Sequence, residues 1–82
     1  MILVDIYIPS LGETHDFNLD ENAKIISIVQ EVSEMLAVRY KTSINKNPEE
    51  FVLCSVEDER MLNGNTTLAE NGITNGCKLL ML

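Results

Sequence analysis

His15, followed directly by Asp16, is the only imidazole in the chain, and Cys54 and Cys77 are its only thiols. A histidine beside a carboxylate can move protons, and thiols with a histidine can hold zinc or act as nucleophiles. Each chemistry requires the side chains to converge. Adjacent residues of a strand point to opposite faces, so His15 and Asp16 cannot easily share a proton there. No motif brings a serine or cysteine to His15, which reads as a partly buried hairpin residue. The cysteines lack CxxC spacing and an HxxxH partner, so no metal site is expected; they read as reduced, small apolar side chains. The carboxylates are scattered, with Glu31 and Glu34, then Glu49 and Glu50, then Glu57 to Glu59. That spacing suits a solvated helix face and turns better than an acid/base pair. The glycines, 4 in all, are isolated in turns, so no phosphate-cradling loop is present. No catalytic residue, metal ligand or cofactor is assigned, and an enzyme is not expected.

The whole chain has 82 residues, which suits one small domain over 1–82 with no second core. A hydrophobic share of 45% is enough to pack it. The net charge of −7 repels nucleic acid and anionic membranes, which are excluded as partners. No apolar run approaches the ~20 residues of a membrane span, so no direct insertion is expected. The N-terminus lacks a basic region and a small-residue cleavage site. With two cysteines too few for a disulfide framework, the expected location is the cytoplasm.

The elements follow from hydrophobic period. In "ILVDIYI", residues 2–8, Ile2, Val4, Ile6 and Ile8 share one face and Leu3, Asp5 and Tyr7 the other. Pro9 and Gly12 in "PSLGE" reverse the chain, and "THDFNL", residues 14–19, alternates again with His15, Phe17 and Leu19 together. The period then becomes helical: Ile25, Ile28, Val29, Val32 and Leu36 form a stripe, predicting a helix from about 23 to 39 with Asn22 or Asp20 as N-cap. The polar segment 42–50, with Pro48, reads as a loop. Strands are expected at "FVLCSV" (51–56), "RML" (60–62) and "CKLLML" (77–82), with a helical turn in "TTLAENGI" that points Leu68 and Ile73 inward. One amphipathic helix must bury its stripe against the apolar face of a sheet. The order ββαβββ predicts an α+β, β-grasp (ubiquitin-like) fold in which a mixed sheet curls over the helix and the last strand pairs with the first. Strands three and five then run antiparallel, which could bring Cys54 and Cys77 close.

The segment "TLAENGI" resembles the stretch before the last strand of ubiquitin. The whole tail "LAENGITNGCKLLML" resembles the C-terminus of the bacterial YukD/EsaB proteins, ubiquitin-like accessory components of type VII secretion systems. The shared pattern is Leu68, Gly72, Ile73, the Asn75-Gly76 turn and a final strand. The entry to the helix, "FNL" into "AKIISIVQEV", is also similar to that family. The resemblance implies a cytosolic accessory or regulatory role, with a cytosolic part of the membrane-bound secretion machinery as partner. Ubiquitin and the sulfur carriers react through a flexible Gly-Gly tail, whereas here no glycine follows Gly76. A non-conjugating binding module is therefore expected. The alternatives are a modifier or sulfur carrier, and a β-grasp adaptor in another pathway.

Binding would use surface. Alternation turns Leu79 and Met81 inward and Leu80 and Leu82 outward, with Leu3 and Tyr7 outward on the first strand and Leu11 at the hairpin tip. The ubiquitin resemblance implies a patch of Leu11, one of Val52 or Cys54, and Leu80 or Leu82. The predicted interaction patch is Leu11, Leu80, Leu82, Val52, Tyr7 and Leu3, on a chain that is a monomer or a weak homodimer.

Overall fold

A computed structural model describes residues 1–41 and 50–82. The elements are β1 (Ile2–Ile8), β2 (Glu13–Leu19), α1 (Ile25–Arg39), β3 (Leu53–Ser55), β4 (Arg60–Met61), a 3-10 turn at Ala69–Asn71 and β5 (Lys78–Met81). Most of the expected loop at 42–50 lies outside the described residues.

The five strands form one mixed sheet in the order β2-β1-β5-β3-β4. β1 and β2 make an antiparallel hairpin that pairs Ile2 with Leu19 and Ile8 with Glu13. Gly12 closes its turn at φ +66°, a left-handed conformation that a residue with a Cβ resists, and donates to the Ile8 carbonyl at 2.9 Å. β5 then runs parallel to β1, pairing Leu79 with Ile6, and antiparallel to β3, pairing Leu79 with Ser55. The expected closure of last strand on first is present.

Alternation decides which side chains are buried. Val4, Ile6 and Ile8, Phe17 and Leu19, Leu53, Leu79 and Met81 all turn to the helix. There they meet Ile25, Ile28, Val29, Val32 and Leu36, the stripe of α1. Ser33 joins the buried face at no polar cost, because its hydroxyl donates to the Val29 carbonyl at 2.7 Å. Leu68 and Ile73 plug the end of this core, as their spacing predicts.

The helix begins differently from the expectation. Lys24, not Asn22 or Asp20, occupies the N-cap position and offers no side-chain cap. Asp20 instead accepts from the Asn22 N–H at 2.9 Å, making a turn ahead of the helix. The free N–H groups of the first turn find backbone acceptors from far along the chain. Ile25 donates to the Thr66 carbonyl at 2.8 Å and Ile26 to that of Gly64 at 3.0 Å. That loop is held by its own capping box: the Glu70 N–H donates to Thr67 Oγ1, and the Thr67 N–H donates to the Glu70 carboxylate.

β3, β4 and β5 are each shorter than the apolar runs that predict them. Pairing continues past the ends of β3 and β5, where Val52 and Leu82 exchange two backbone hydrogen bonds of 3.0 and 2.9 Å.

Candidate functional site

The sheet has one face on the helix and one face turned away from it. The outward face gathers the candidate residues through strand register. Tyr7 of β1 lies beside Leu80 of β5, Leu80 lies opposite Cys54 of β3, and Cys54 lies opposite Met61 of β4. These four residues make an apolar row that crosses four strands. Tyr7 is 42% exposed and Met61 69% exposed. Cys54, Val56, Met61 and Leu80 line a shallow groove whose rim carries Glu59 and Arg60.

The predicted patch residues divide by position. Leu82 and Val52 continue the face at the end where β5 meets β3, with Leu82 51% exposed. Leu11 stands 41% exposed at the tip of the hairpin, the same end of the sheet. Leu3 also points outward but lies at the other end, paired with Asn18, so Asp5 stands between it and Tyr7. The parity of the third strand is now fixed: Leu53 and Ser55 are buried, while Val52, Cys54 and Val56 turn outward. Met61 and Val56 escaped the sequence reading. A two-residue strand carries no alternation to read, so only its pairing with β3 reveals where Met61 points.

The cysteines are not neighbours. Cys54 pairs with Leu80, which leaves Cys77 three places out of step along β5. At ~3.3 Å per residue that is about 10 Å along the strand alone. A disulfide needs Cα atoms within roughly 7 Å. Both thiols are free. Cys77 packs against the core instead, and its Sγ accepts from the Thr74 N–H at 3.4 Å.

His15 turns away from Asp16, as alternation requires, and meets the far end of the helix. Its Nε2 lies 2.7 Å from the Tyr40 hydroxyl and 3.1 Å from Glu13 Oε2. The Tyr40 hydroxyl also donates to Glu13. That bond holds the Glu13 carboxyl below its ordinary value, with help from the nearby His15, and holds the Tyr40 hydroxyl above its own. The trio joins the start of β2 to the end of α1. Among the described residues neither thiol is hydrogen-bonded to it, and it has the makings of a latch between hairpin and helix. Among the described residues no group of three or more His, Cys, Asp or Glu could hold a metal ion. Among them, too, no helix is long and apolar enough to cross a membrane.

Solved structures share this arrangement. The N-terminal ubiquitin-like domain of the 4931431F19Rik protein is similar over 99% of this chain and 72% of its own, with a TM-score of 0.76 and 22% identity. The ubiquitin-like domain of Arabidopsis thaliana protein At2g32350 is similar over 99% and 74%, with a TM-score of 0.73 and 17% identity. The fold is the ubiquitin-like β-grasp. No family model and no curated protein matches the sequence. In this β-grasp the outward face carries two kinds of chemistry in adjacent rows. The first is the apolar row of Tyr7, Leu80, Cys54 and Met61. The second is polar, with Asp16, Asp5 and Lys78 side by side.

Proposed function

We propose that the chain is a ubiquitin-like protein-interaction module that docks a partner protein on the outward face of its sheet. The apolar row of Tyr7, Leu80, Cys54 and Met61 carries this reading. Contiguous exposed apolar surface rimmed by polar groups is the usual mark of a contact site. Leu11, Val52 and Leu82 extend it at one end of the sheet. Docking of this kind makes and breaks no covalent bond, so the module works as a binder and not as a conjugated modifier or an enzyme.

The finer reading is a cytosolic accessory or regulatory component of a type VII secretion system. It is supported by the resemblance of residues 67–82 to the YukD/EsaB tail. The partner is then a cytosolic portion of the membrane-bound secretion machinery. The test is capture of the purified cytosolic part of the secretion ATPase by the immobilised chain, beside the same chain carrying Leu11→Glu and Leu80→Glu. Leu80 sits on the outward face and Leu11 at the exposed hairpin tip, so circular dichroism should be unchanged while capture is lost. Undiminished capture by the folded double variant refutes the docking face. A gene for that ATPase, or for a small helical-hairpin substrate, beside this one supports the secretion role. An encoded Gly-Gly segment after Leu82 with an adenylating enzyme next door supports the modifier or sulfur-carrier alternative.

A further inference from the structure

Beside the apolar row, the register lays down a second row of outward side chains. Asp16 of β2 stands directly opposite Asp5 of β1, and Asp5 stands beside Lys78 of β5. Directly opposed side chains of an antiparallel pair stand ~4.5–5.5 Å apart at Cβ, and like charges there disfavour the folded state. Neither aspartate contributes to the core. The Asp5 carboxyl is raised above its ordinary value, first by a hydrogen bond with Asp16 and then by partial burial and the Asp16 charge, with Lys78 acting against them. Lys78 therefore opposes two carboxylates with one ammonium group. Its backbone N–H is engaged by the Glu57 carboxylate at 3.0 Å, a further negative charge at this edge.

Among the described residues, the other charges around the face do not redress the balance. Glu59, on the rim of the groove, is acidic. Arg60 is occupied: its guanidinium donates to Asn71 through two bonds of 2.9 Å and lies 3.7 Å from Asp58. Among the described residues, cationic complementarity is thus the missing half of this surface. It is also placed at a defined distance. Asp5 precedes Tyr7, and Lys78 precedes Leu80, by two residues on the same face of their strands. That spacing is about 7 Å, one step of strand alternation.

We propose that the partner seats an apolar side chain among Tyr7, Leu80 and Cys54 and an arginine or lysine over the Asp5–Asp16 pair. The inference rests on the docking reading above and adds the charge of the partner to it. An extended peptide segment meets both requirements when its apolar and basic residues stand two apart.

The test is a selection of random displayed peptides on the immobilised full chain, repeated on the Asp5→Asn/Asp16→Asn double variant and on Leu80→Glu. On the unaltered chain, apolar residues accompanied by Arg or Lys two positions away should be enriched. On the double asparagine variant the basic preference should fall to background while the apolar preference stays. Individual basic peptides should lose about two- to fivefold in affinity, the scale of a partly exposed ion pair. Apolar peptides without a basic residue, or a basic preference that survives in the double asparagine variant, overturn the inference. In the second case the preference belongs to the net charge of −7 as a whole. Selected peptides that bind Leu80→Glu equally well overturn the docking reading itself. Failure to enrich any sequence counts against both.

Discussion

Cys54 lies directly opposite Leu80 in the antiparallel pairing of β3 with β5, and both turn away from the core. A thiol is thereby placed in the middle of the proposed contact face. Cys77, packed against the core side, is an internal control. Partner binding should slow maleimide labelling of Cys54 and leave the rate at Cys77 unchanged, read by peptide mass after quenching. Equal protection of both thiols would put the partner elsewhere. Mild oxidation of the monomer should give no internal disulfide, because the two cysteines are out of step by more than the bond can span.

The row geometry also ranks the exposed apolar residues. Binding energy concentrates in a few central, desolvated side chains, with aromatic residues prominent among them. Tyr7 and Met61 lie in the row through Leu80, whereas Leu3 lies beyond the Asp5 row. Tyr7→Ala and Met61→Ala should each weaken partner binding by about tenfold or more, and Leu3→Ala should change it by less than about twofold. Isothermal titration on folded variants decides this. A large loss at Leu3 with none at Tyr7 would move the contact to the other end of the sheet.

Much of this was legible in the residues, and what was not has a physical reason. The stripe from Ile25 to Leu36 and the alternation of β1 each bury one face, so the period alone declares them. The same logic placed Leu79 and Met81 inward. The run "FVLCSV" has no alternation, and its parity is set by pairing with β5, which local sequence does not contain. The helix cap differs from the expectation for a similar reason. Asp20 and Asn22 are good capping residues, but carbonyls of Gly64 and Thr66, distant in sequence, take that role. Tyr40 reaches Glu13 and His15 only because the hairpin folds onto the end of the helix. One further local signal is in the residues: Thr67 and Glu70 stand at capping-box spacing, and they make the reciprocal bonds it predicts.

The opposed aspartates set a pH dependence of stability. Asp5 binds its proton more tightly in the folded chain than at its ordinary value of 3.8. Between that value and the raised one the folded state holds more protons, so stability falls as pH rises through this window. The repulsion is then fully present at neutral pH. Asp5→Asn should raise the thermal midpoint at pH 7 and bring no gain in acid well below 3.8, where Asp5 carries its proton and no longer repels Asp16. A gain of equal size at both pH values would mean that the asparagine acts through packing or hydrogen bonding and not by removing charge.

The Glu13–Tyr40 bond has the opposite sign. Glu13 is held below its ordinary value of 4.5, chiefly because the Tyr40 hydroxyl donates to its carboxylate. A carboxyl depressed by folding stabilises the protein above its unfolded value, and that contribution is lost as pH falls through the folded one. Tyr40→Phe removes the donor and keeps the ring that packs edge-on against His15. The variant should therefore unfold at a lower temperature than the parent at pH 7. The gap should narrow as the pH drops below 4.5, and close at the lowered value where Glu13 takes up its proton in the folded chain. Because the bond ties β2 to the last turn of α1, hydrogen exchange at the amides of Arg39 and Tyr40 should quicken in the variant at neutral pH. A thermal gap that stays constant across this range would show that the hydroxyl acts without reference to the charge of Glu13. Unchanged exchange at Arg39 and Tyr40 would show that the end of the helix is held by its packing alone.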